Sequence, residues 1–153
     1  MKLTDILKPE CIIPELKAQD KKGALEELAG IITEQEPSLS KGSLLQVLLE
    51  RERLGSTGIG DGVALPHGKL RDLDHLCICF GRSTSGLDFD SIDEKPAYVF
   101  FLLLAPENSA GVHLTALAKI SRMLKDGEFR RRLMGAHSGK EIYDMIIDKD
   151  EEL

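Results

Sequence analysis

One histidine in the sequence follows a run of turn-forming residues. His67 comes directly after Pro66 in the stretch 51–70, which reads RERLGSTGIGDGVALPHGKL. Proline fixes its own φ and restricts the residue before it, so the chain that leads into His67 is expected to be extended and held in one direction. A histidine presented in this way can be a general base, a metal ligand or a nucleophile that accepts a phosphoryl group. The residue types leave these three chemistries open, beside a purely structural use of the ring.

The same stretch contains four glycines before the histidine: Gly55, Gly58, Gly60 and Gly62. Glycine tolerates left-handed backbone angles and allows close approach to the main chain. The P-loop spacing G-x-x-x-x-G-K-[ST] is absent, and a Pro-His pair stands where the helix of a P-loop would begin. The dinucleotide fingerprint is absent too, because the last three glycines are spaced G-x-G-x-G and no helix start follows them. The glycines therefore predict turns and not a nucleotide site.

Two helices are predicted ahead of this stretch, after a helical turn over residues 3–7 and an extended segment over 11–16. Asp20 can cap the first helix, whose apolar face consists of Leu25, Leu28, Ala29 and Ile32. Ser40 can cap the second helix, whose inward face consists of Leu44, Leu45, Leu48 and Leu49. The second helix is expected to end near Glu52, which places Arg51 in its last turn.

Two strands are predicted after the stretch. The short apolar segment 76–80 is bounded by polar and turn residues, as a strand should be. The segment 98–104 is an unbroken apolar run. A half-exposed strand would alternate apolar and polar residues, so this run indicates a central strand that is covered on both faces.

Three helices are predicted in the last third of the chain. The first spans residues 112–124, a shorter one follows Gly127, and the capping box of Ser138 and Glu141 opens the last. The acidic end from Asp148 onwards is expected to fray. Helices and strands are interspersed, which predicts one α/β domain over residues 1–153: a layered sandwich with a central mixed β-sheet flanked by helices.

Composition excludes several classes of protein. The chain has 153 residues, 20 basic and 26 acidic side chains and a net charge of -6, so it offers no broad attraction to nucleic acid or to an anionic membrane. Its longest apolar run, 98–105, is far shorter than the ~20 residues that span a bilayer, and no secretory signal opens it. Cys11, Cys77 and Cys79 lack the spacing of metal-ligand pairs and are expected to be buried thiols. These features favour a cytoplasmic protein without a metal, a cofactor or membrane insertion.

The stretch 51–70 closely resembles the active-site motif of the enzyme IIA (EIIA) proteins of the bacterial phosphoenolpyruvate phosphotransferase system, in the fructose and mannitol class (type 2). Within that class, RERLGSTGIG followed by PHGK is most similar to the nitrogen-regulatory IIA branch. The resemblance extends over nearly the whole chain. Two departures are mild: Leu65 stands where isoleucine is common, and the loop before His113 is somewhat short.

The resemblance implies that His67 is phosphorylated, that His113 is a second active-site histidine and that Arg51 helps to neutralise the phosphoryl group. The donor would be the phosphohistidine of a small HPr-type or NPr-type carrier protein, and no metal is required. Further hydrogen-bond donors to the phosphoryl oxygens could come from the hydroxyl of Thr57 and from backbone amides near Gly58, Gly60 and Gly62. Downstream partners would be regulated proteins or the IIB domain of a permease, and the oligomeric state stays open.

Each of these side chains also has a simpler structural use. Arg51 could complement the carboxyl end of its helix, and His113 could donate a hydrogen bond at a helix start. His75 and His137 are expected to be ordinary surface histidines, and the run Arg130 to Arg132 is expected to be a solvated helix face.

Three functional classes remain. The first is a regulatory phosphocarrier acting in nitrogen or potassium metabolism, and the second is a sugar-specific IIA component that passes phosphate to a fructose or mannitol permease. The third is a binding module without catalysis, or a metal-dependent hydrolase in which His67 and His113 are ligands. No third metal ligand stands at a convincing spacing, and the RERLGSTGIG string favours the regulatory class.

Overall fold

The computed structural model describes residues 1–109 and 111–153. Helices and strands are interspersed along this part of the chain. After a 3-10 turn at Leu3–Asp5, the helices in these residues are α1 (Lys21–Gln35), α2 (Lys41–Arg53), α3 (Val112–Leu124), α4 (Gly127–Gly135) and α5 (Gly139–Glu152). The strands are β1 (Leu7–Ile13), β2 (Gly58–Gly60), β3 (Val63–Ala64), β4 (His67–Leu70), β5 (Cys77–Leu87) and β6 (Ala97–Pro106). They form a mixed sheet flanked by helices in a single domain, which confirms the predicted α/β class.

Strand β6 is the centre of the sheet. It pairs antiparallel with β5 on one side and parallel with both β3 and β4 on the other, in the order β1-β5-β6-β3-β2. All of its residues are buried except Tyr98 and Pro106, which are half-buried, as the unbroken apolar run predicted. His67 opens β4 and lies opposite Leu103 of β6. The backbone of the histidine is therefore anchored to the most deeply buried strand.

The core is built from the apolar faces that the sequence indicates. The face of α1 is fully buried through Leu25, Leu28, Ala29 and Ile32. Its start is capped by the carboxylate of Asp20, which accepts a hydrogen bond from the amide of Gly23 at 2.7 Å. Ser40 caps α2 through the amide of Ser43 at 3.3 Å. An exposed N-cap of this kind stabilises its helix by about 1 kcal/mol.

Two strands differ in extent from the sequence predictions. The extended segment expected over 11–16 is a strand that begins at Leu7, and its pairing with β5 is irregular between Leu7 and Ile12. Pro9 lies in this irregular part, and the pairing is irregular there because proline has no N–H to donate to the ladder. Strand β5 continues to Leu87, past the predicted end at Phe80, and includes Gly81. A Cβ on Gly81 would lie 3.1 Å from a methyl carbon of both Leu16 and Leu28, so this glycine permits close packing and not a turn.

The acidic end is helical where fraying was expected. Helix α5 continues to Glu152, and Asp150 in its last turn is buried. One carboxylate oxygen of Asp150 accepts a hydrogen bond from the amide of Leu3 at 2.7 Å, and the other lies 2.6 Å from Nζ of Lys119. These contacts tie the two chain ends together, which a local sequence pattern cannot reveal.

Candidate active site

The ring of His67 is held by a hydrogen bond to a backbone carbonyl two residues earlier in the chain. The imidazole is half-buried, and its Nδ1 lies 2.9 Å from the carbonyl oxygen of Leu65. A carbonyl oxygen can only accept a hydrogen bond, so in the neutral ring the hydrogen is on Nδ1. Nε2 then carries the lone pair. This tautomer has Nε2 as its nucleophilic atom.

Three residues that are distant in the sequence share one cavity with a volume of about 550 Å³. His67 comes from β4, Arg51 from the last turn of α2 and His113 from the first turn of α3. The cavity is lined by Val47, Glu50, Arg51, Leu54, His67, Gly68, Lys69, Leu103, Ala105 and His113. The structure thus brings together the nucleophile candidate, the second histidine and the arginine.

Arg51 also has the structural use considered above. Its Nη1 donates a hydrogen bond to the carbonyl oxygen of Gly55 at 2.9 Å, just beyond the end of α2. A guanidinium carries five N–H donors in a planar fork. One bond to the helix end fixes the orientation of the fork and leaves further donors for oxygen atoms in the cavity.

His113 is held at the start of α3. Its Nδ1 lies 3.2 Å from the hydroxyl oxygen of Ser109, within hydrogen-bond distance. The pKa of His113 is lowered, first by burial and then by the charges of Lys69 and His67. The neutral ring is therefore favoured, and a neutral imidazole can donate a hydrogen bond through whichever ring nitrogen carries the hydrogen.

A second depression adjoins the cavity. This groove of about 350 Å³ is lined by Arg51, Ser56, Thr57, Ile59, Leu65, His67, Leu117, Ala118 and Ser121. Thr57 was predicted to donate its hydroxyl to a phosphoryl group. In the structure its hydroxyl donates to Oε2 of Glu52, and its amide donates to Oε1 at 3.0 Å. Both donors of Thr57 are engaged by one carboxylate.

The glycines have backbone roles. Among the described residues, none of Gly58, Gly60 and Gly62 lines the cavity or the groove. The amide of Gly58 donates to the hydroxyl of Ser56 at 3.0 Å. Gly60 and Gly62 have φ angles of 96° and 78° and turn the chain between β2 and β3. That the amides of these glycines bind phosphoryl oxygens stays a prediction, and their positions favour turn formation.

Apolar side chains are exposed around the two depressions. Leu54 lines the cavity and is 85% exposed, and Ile59 lines the groove and is 42% exposed. Val112 and Leu114, on either side of His113, are 46% and 60% exposed. We call these four residues the apolar rim. Exposed apolar side chains beside a cavity are typical of protein-protein contact surfaces.

Two features of the described residues bear on metal binding and membrane insertion. In residues 1–109 and 111–153, no group of three or more His, Cys, Asp or Glu side chains is placed to hold a metal ion. The metal-ligand alternative for His67 and His113 thus has no third donor in that part of the chain. No described helix is long and apolar enough to cross a membrane.

The family model described as phosphoenolpyruvate-dependent sugar phosphotransferase system, EIIA 2, matches residues 5–149. The chain belongs to this family. This EIIA chain is 42% identical over 146 residues to a nitrogen regulatory protein of Bradyrhizobium diazoefficiens, and the match covers 95% of each. It shares a TM-score of 0.88 and 35% identity with the crystal structure of nitrogen regulatory protein IIA-Ntr from Neisseria meningitidis, covering 94% of this chain and 98% of that one. The similarity to the nitrogen-regulatory branch is thus confirmed.

The EIIA fold is shared more widely. The mannitol IIA enzyme of Escherichia coli, in its complex with phosphorylated IIB, has a TM-score of 0.79 and 21% identity, with 94% of this chain and 99% of that one covered. At this identity the similarity concerns the fold.

Lys69 is a residue of the EIIA cavity that sequence reasoning missed. It lies two positions after His67 on β4, and alternate residues of a strand project from the same face. Prediction of β4 would have placed both side chains on one face, but the strand has only four residues and no alternating pattern. Lys69 adds a positive charge to a cavity that already contains Arg51.

Proposed function

We propose that this EIIA protein accepts a phosphoryl group on Nε2 of His67 from the phosphohistidine of a small HPr-type or NPr-type carrier, and acts in the regulation of nitrogen or potassium metabolism. The single observation that carries the proposal is the bond from Nδ1 of His67 to the carbonyl of Leu65. It leaves the lone pair on Nε2 in a ring that lines the same cavity as Arg51 and His113.

The transfer balances without a metal or an external base. The lone pair on Nε2 forms the new N–P bond while the bond between phosphorus and the carrier histidine breaks, and that histidine recovers its electron pair. Positive charge grows on the ring of His67 as the lone pair is shared. The carbonyl of Leu65 stabilises this charge through the Nδ1 hydrogen.

Charged and polar groups of the cavity would stabilise the negative charge of the phosphoryl group. A phosphoryl group carries about -1.5 to -2 charges near neutral pH. Arg51 and Lys69 provide positive charge, and His113 provides a hydrogen-bond donor. Because these groups line a partly enclosed cavity, they interact with the phosphoryl oxygens more strongly than they would in bulk water.

The apolar rim would receive the carrier protein. Its four exposed side chains lie just beyond the end of α2, on β2 and on either side of His113 in α3, so a carrier docked on them would cover His67 and exclude water. The same surface would contact downstream partners. A phosphoryl group on His67 would place negative charge in the middle of an apolar contact and change partner affinity directly.

The first experiment is phosphoryl transfer from phosphoenolpyruvate through purified enzyme I and carrier protein, followed by mass spectrometry. The wild type should gain one phosphoryl group and His67→Ala none. His137→Ala is the matched control, since His137 is exposed and lines neither depression. Labelling of His67→Ala at the wild-type level, or an unlabelled wild type with every carrier tried, would refute the proposal.

The regulatory part requires its own test. Partner binding is compared for His67→Asp, which adds negative charge, and His67→Ala, which adds none. Equal affinities for a candidate partner would contradict control by charge. We also infer a cytoplasmic location, because the proposed donor is a phosphocarrier and the three cysteines are free and buried.

A sugar-specific function is the second candidate. The matching family model describes a sugar phosphotransferase system, and the mannitol IIA structure contains a phosphorylated IIB partner. In that case purified IIB and permease domains should remove the phosphoryl group from this protein only when fructose or mannitol is present. Loss of phosphate that is independent of sugar would favour the regulatory function.

A further inference from the structure

Glu52 is a nearly buried carboxylate that the transfer reaction does not use. It follows Arg51 in the last turn of α2, its side chain is only 5% exposed, and it lines neither the cavity nor the groove within the described residues. It accepts two hydrogen bonds from Thr57, one from the amide at 3.0 Å and one from the hydroxyl. Nζ of Lys21, the first residue of α1, lies 2.9 Å from Oε1.

A continuous series of contacts runs from this carboxylate to the reacting ring. The carbonyl oxygen of Thr57, whose two donors bind Glu52, accepts a hydrogen bond from the amide of Leu65 at 2.9 Å. The carbonyl oxygen of Leu65 then accepts the bond from Nδ1 of His67, also at 2.9 Å. The order is therefore Lys21, Glu52, Thr57, Leu65 and His67. We call these five residues the relay.

We propose that Glu52, held in place by Lys21, is a positioning residue that fixes the orientation and the Nδ1–H tautomer of the His67 ring. This inference rests on the proposed phosphoryl transfer at Nε2. The carboxylate accepts hydrogen bonds from both the amide and the hydroxyl of Thr57 and so fixes the position of its backbone. Because the carbonyl of Thr57 pairs with the amide of Leu65, this also fixes the position of the Leu65 carbonyl. Displacement of that carbonyl would free the ring to rotate or to change tautomer.

The charge of Glu52 has to be offset. The N–H and the C=O of Thr57 belong to different peptide groups, as do those of Leu65, so the carboxylate acts on the ring through the placement of the Leu65 carbonyl. An unpaired carboxylate near the cavity would repel the incoming phosphoryl group. Lys21 offsets that charge, and it is itself held by the ring of Phe89, whose centroid lies 4.9 Å from Nζ. The ion pair thus offsets the charge of Glu52, and Nζ of Lys21 also lies 3.5 Å from Oδ2 of the exposed Asp90.

The contacts of Glu52 differ from those of Glu27, a half-buried glutamate. Glu27 on α1 also accepts backbone hydrogen bonds from a neighbouring loop, from the amides of Lys17 and Ala18 at 2.9 Å each to Oε1. None of the contacts of Glu27 leads to His67. It is therefore the matched control, because the same substitution removes the same kind of bond elsewhere in the fold.

The experiment compares Glu52→Ala and Glu52→Gln with Glu27→Ala and Glu27→Gln at equal, verified folded fraction. Two properties are measured: the single-turnover rate of phosphorylation by excess phosphorylated carrier, whose maximum and half-saturating carrier concentration are taken as kcat and KM, and the ¹⁵N shifts and couplings of the His67 ring, which distinguish the two tautomers. Glu52→Ala should lower kcat by about 10- to 100-fold with little change in the KM for carrier, because it disturbs ring placement and leaves the apolar rim intact. The Nδ1–H tautomer should lose population, and Glu52→Gln should lie between Glu52→Ala and the wild type.

The controls should keep the wild-type kcat and tautomer. Glu52 variants with a wild-type tautomer and kcat would overturn the proposal, as would an equal loss of kcat in the Glu27 variants. If Glu52→Ala does not fold, the isosteric Glu52→Gln decides. If the wild type accepts no phosphoryl group from any carrier, the proposed function fails, whereas the tautomer measurement still tests the relay by itself.

Discussion

Lys69 and His113 line the same cavity, so the charge of the lysine acts on the protonation of the histidine. Burial is the first cause of the lowered pKa of His113, followed by the charges of Lys69 and His67. A lowered pKa means that the folded protein binds fewer protons than the unfolded chain as the pH falls through the usual histidine range. The contribution of His113 to stability is therefore present above about pH 6.5 and is lost below it.

The same relationship predicts how phosphorylation changes His113. In an NMR titration, the pKa of His113 should lie below the ordinary value for histidine. Lys69→Met should raise the pKa of His113, because one of the charges that lower it is removed. A phosphoryl group on His67 should raise it further by adding negative charge. An unchanged pKa in Lys69→Met would show that Lys69 does not contribute and that burial and His67 account for the shift.

A charge placed at Leu54 on the apolar rim is expected to weaken carrier binding without changing stability. It is 85% exposed, so Leu54→Asp should leave the free energy of unfolding nearly unchanged. A charge in an apolar contact has to be desolvated, and the KM for carrier should rise about tenfold or more, corresponding to about 1.4 kcal/mol. Ile92→Asp is the matched control, because Ile92 is 73% exposed and lies outside both depressions. Equal KM changes in the two variants would place the carrier elsewhere.

The sequence predicted the long elements and missed the short ones. The faces of α1 and α2, the central strand and the approximate start of α3 follow from periodicity and caps, which are local properties. Strands β2, β3 and β4 have only two to four residues and exist through pairing: β3 and β4 pair with β6, and β2 pairs with β3. The family motif pointed to His67, Arg51 and His113. Lys69 and the contacts of Glu52 depend on tertiary placement, which a single sequence does not contain.

The three buried cysteines are expected to react slowly with thiol reagents. Burial raises the pKa of Cys11 to about 11 and that of Cys77 to about 12, and burial also raises the pKa of Cys79. Only the thiolate reacts, so in the native state a maleimide should label these thiols at least two orders of magnitude more slowly than a free cysteine with a pKa of about 8.5. Labelling should become fast and complete in concentrated urea. Rapid labelling of the native protein would contradict the buried placement.

Arg82 on β5 joins two parts of the fold through backbone oxygens. Its side chain is buried, Nε donates to the carbonyl of Pro14 at 2.9 Å, and Nη1 lies 2.9 and 2.7 Å from the carbonyls of Leu133 and Ala136 at the end of α4. Its positive charge also complements the carboxyl end of the α4 dipole. Without the guanidinium the carbonyls of Pro14 and Ala136 would lose this donor, whereas the carbonyl of Leu133 would keep its bond from the amide of Ala136 at 3.3 Å.

Arg82→Met should therefore lower the free energy of unfolding by about 2 to 4 kcal/mol in urea denaturation, because methionine fills similar space and donates no hydrogen bond. Arg132→Met is the control on α4 itself, since Arg132 is exposed, and it should change stability by less than about 0.5 kcal/mol. Arg82→Lys should recover only part of the loss, because one ammonium group cannot reach carbonyls on both sides as the planar fork does. An Arg82→Met variant with an unchanged free energy of unfolding would mean that water satisfies those carbonyls. The burial of Leu133 would then hold the end of α4 without the guanidinium.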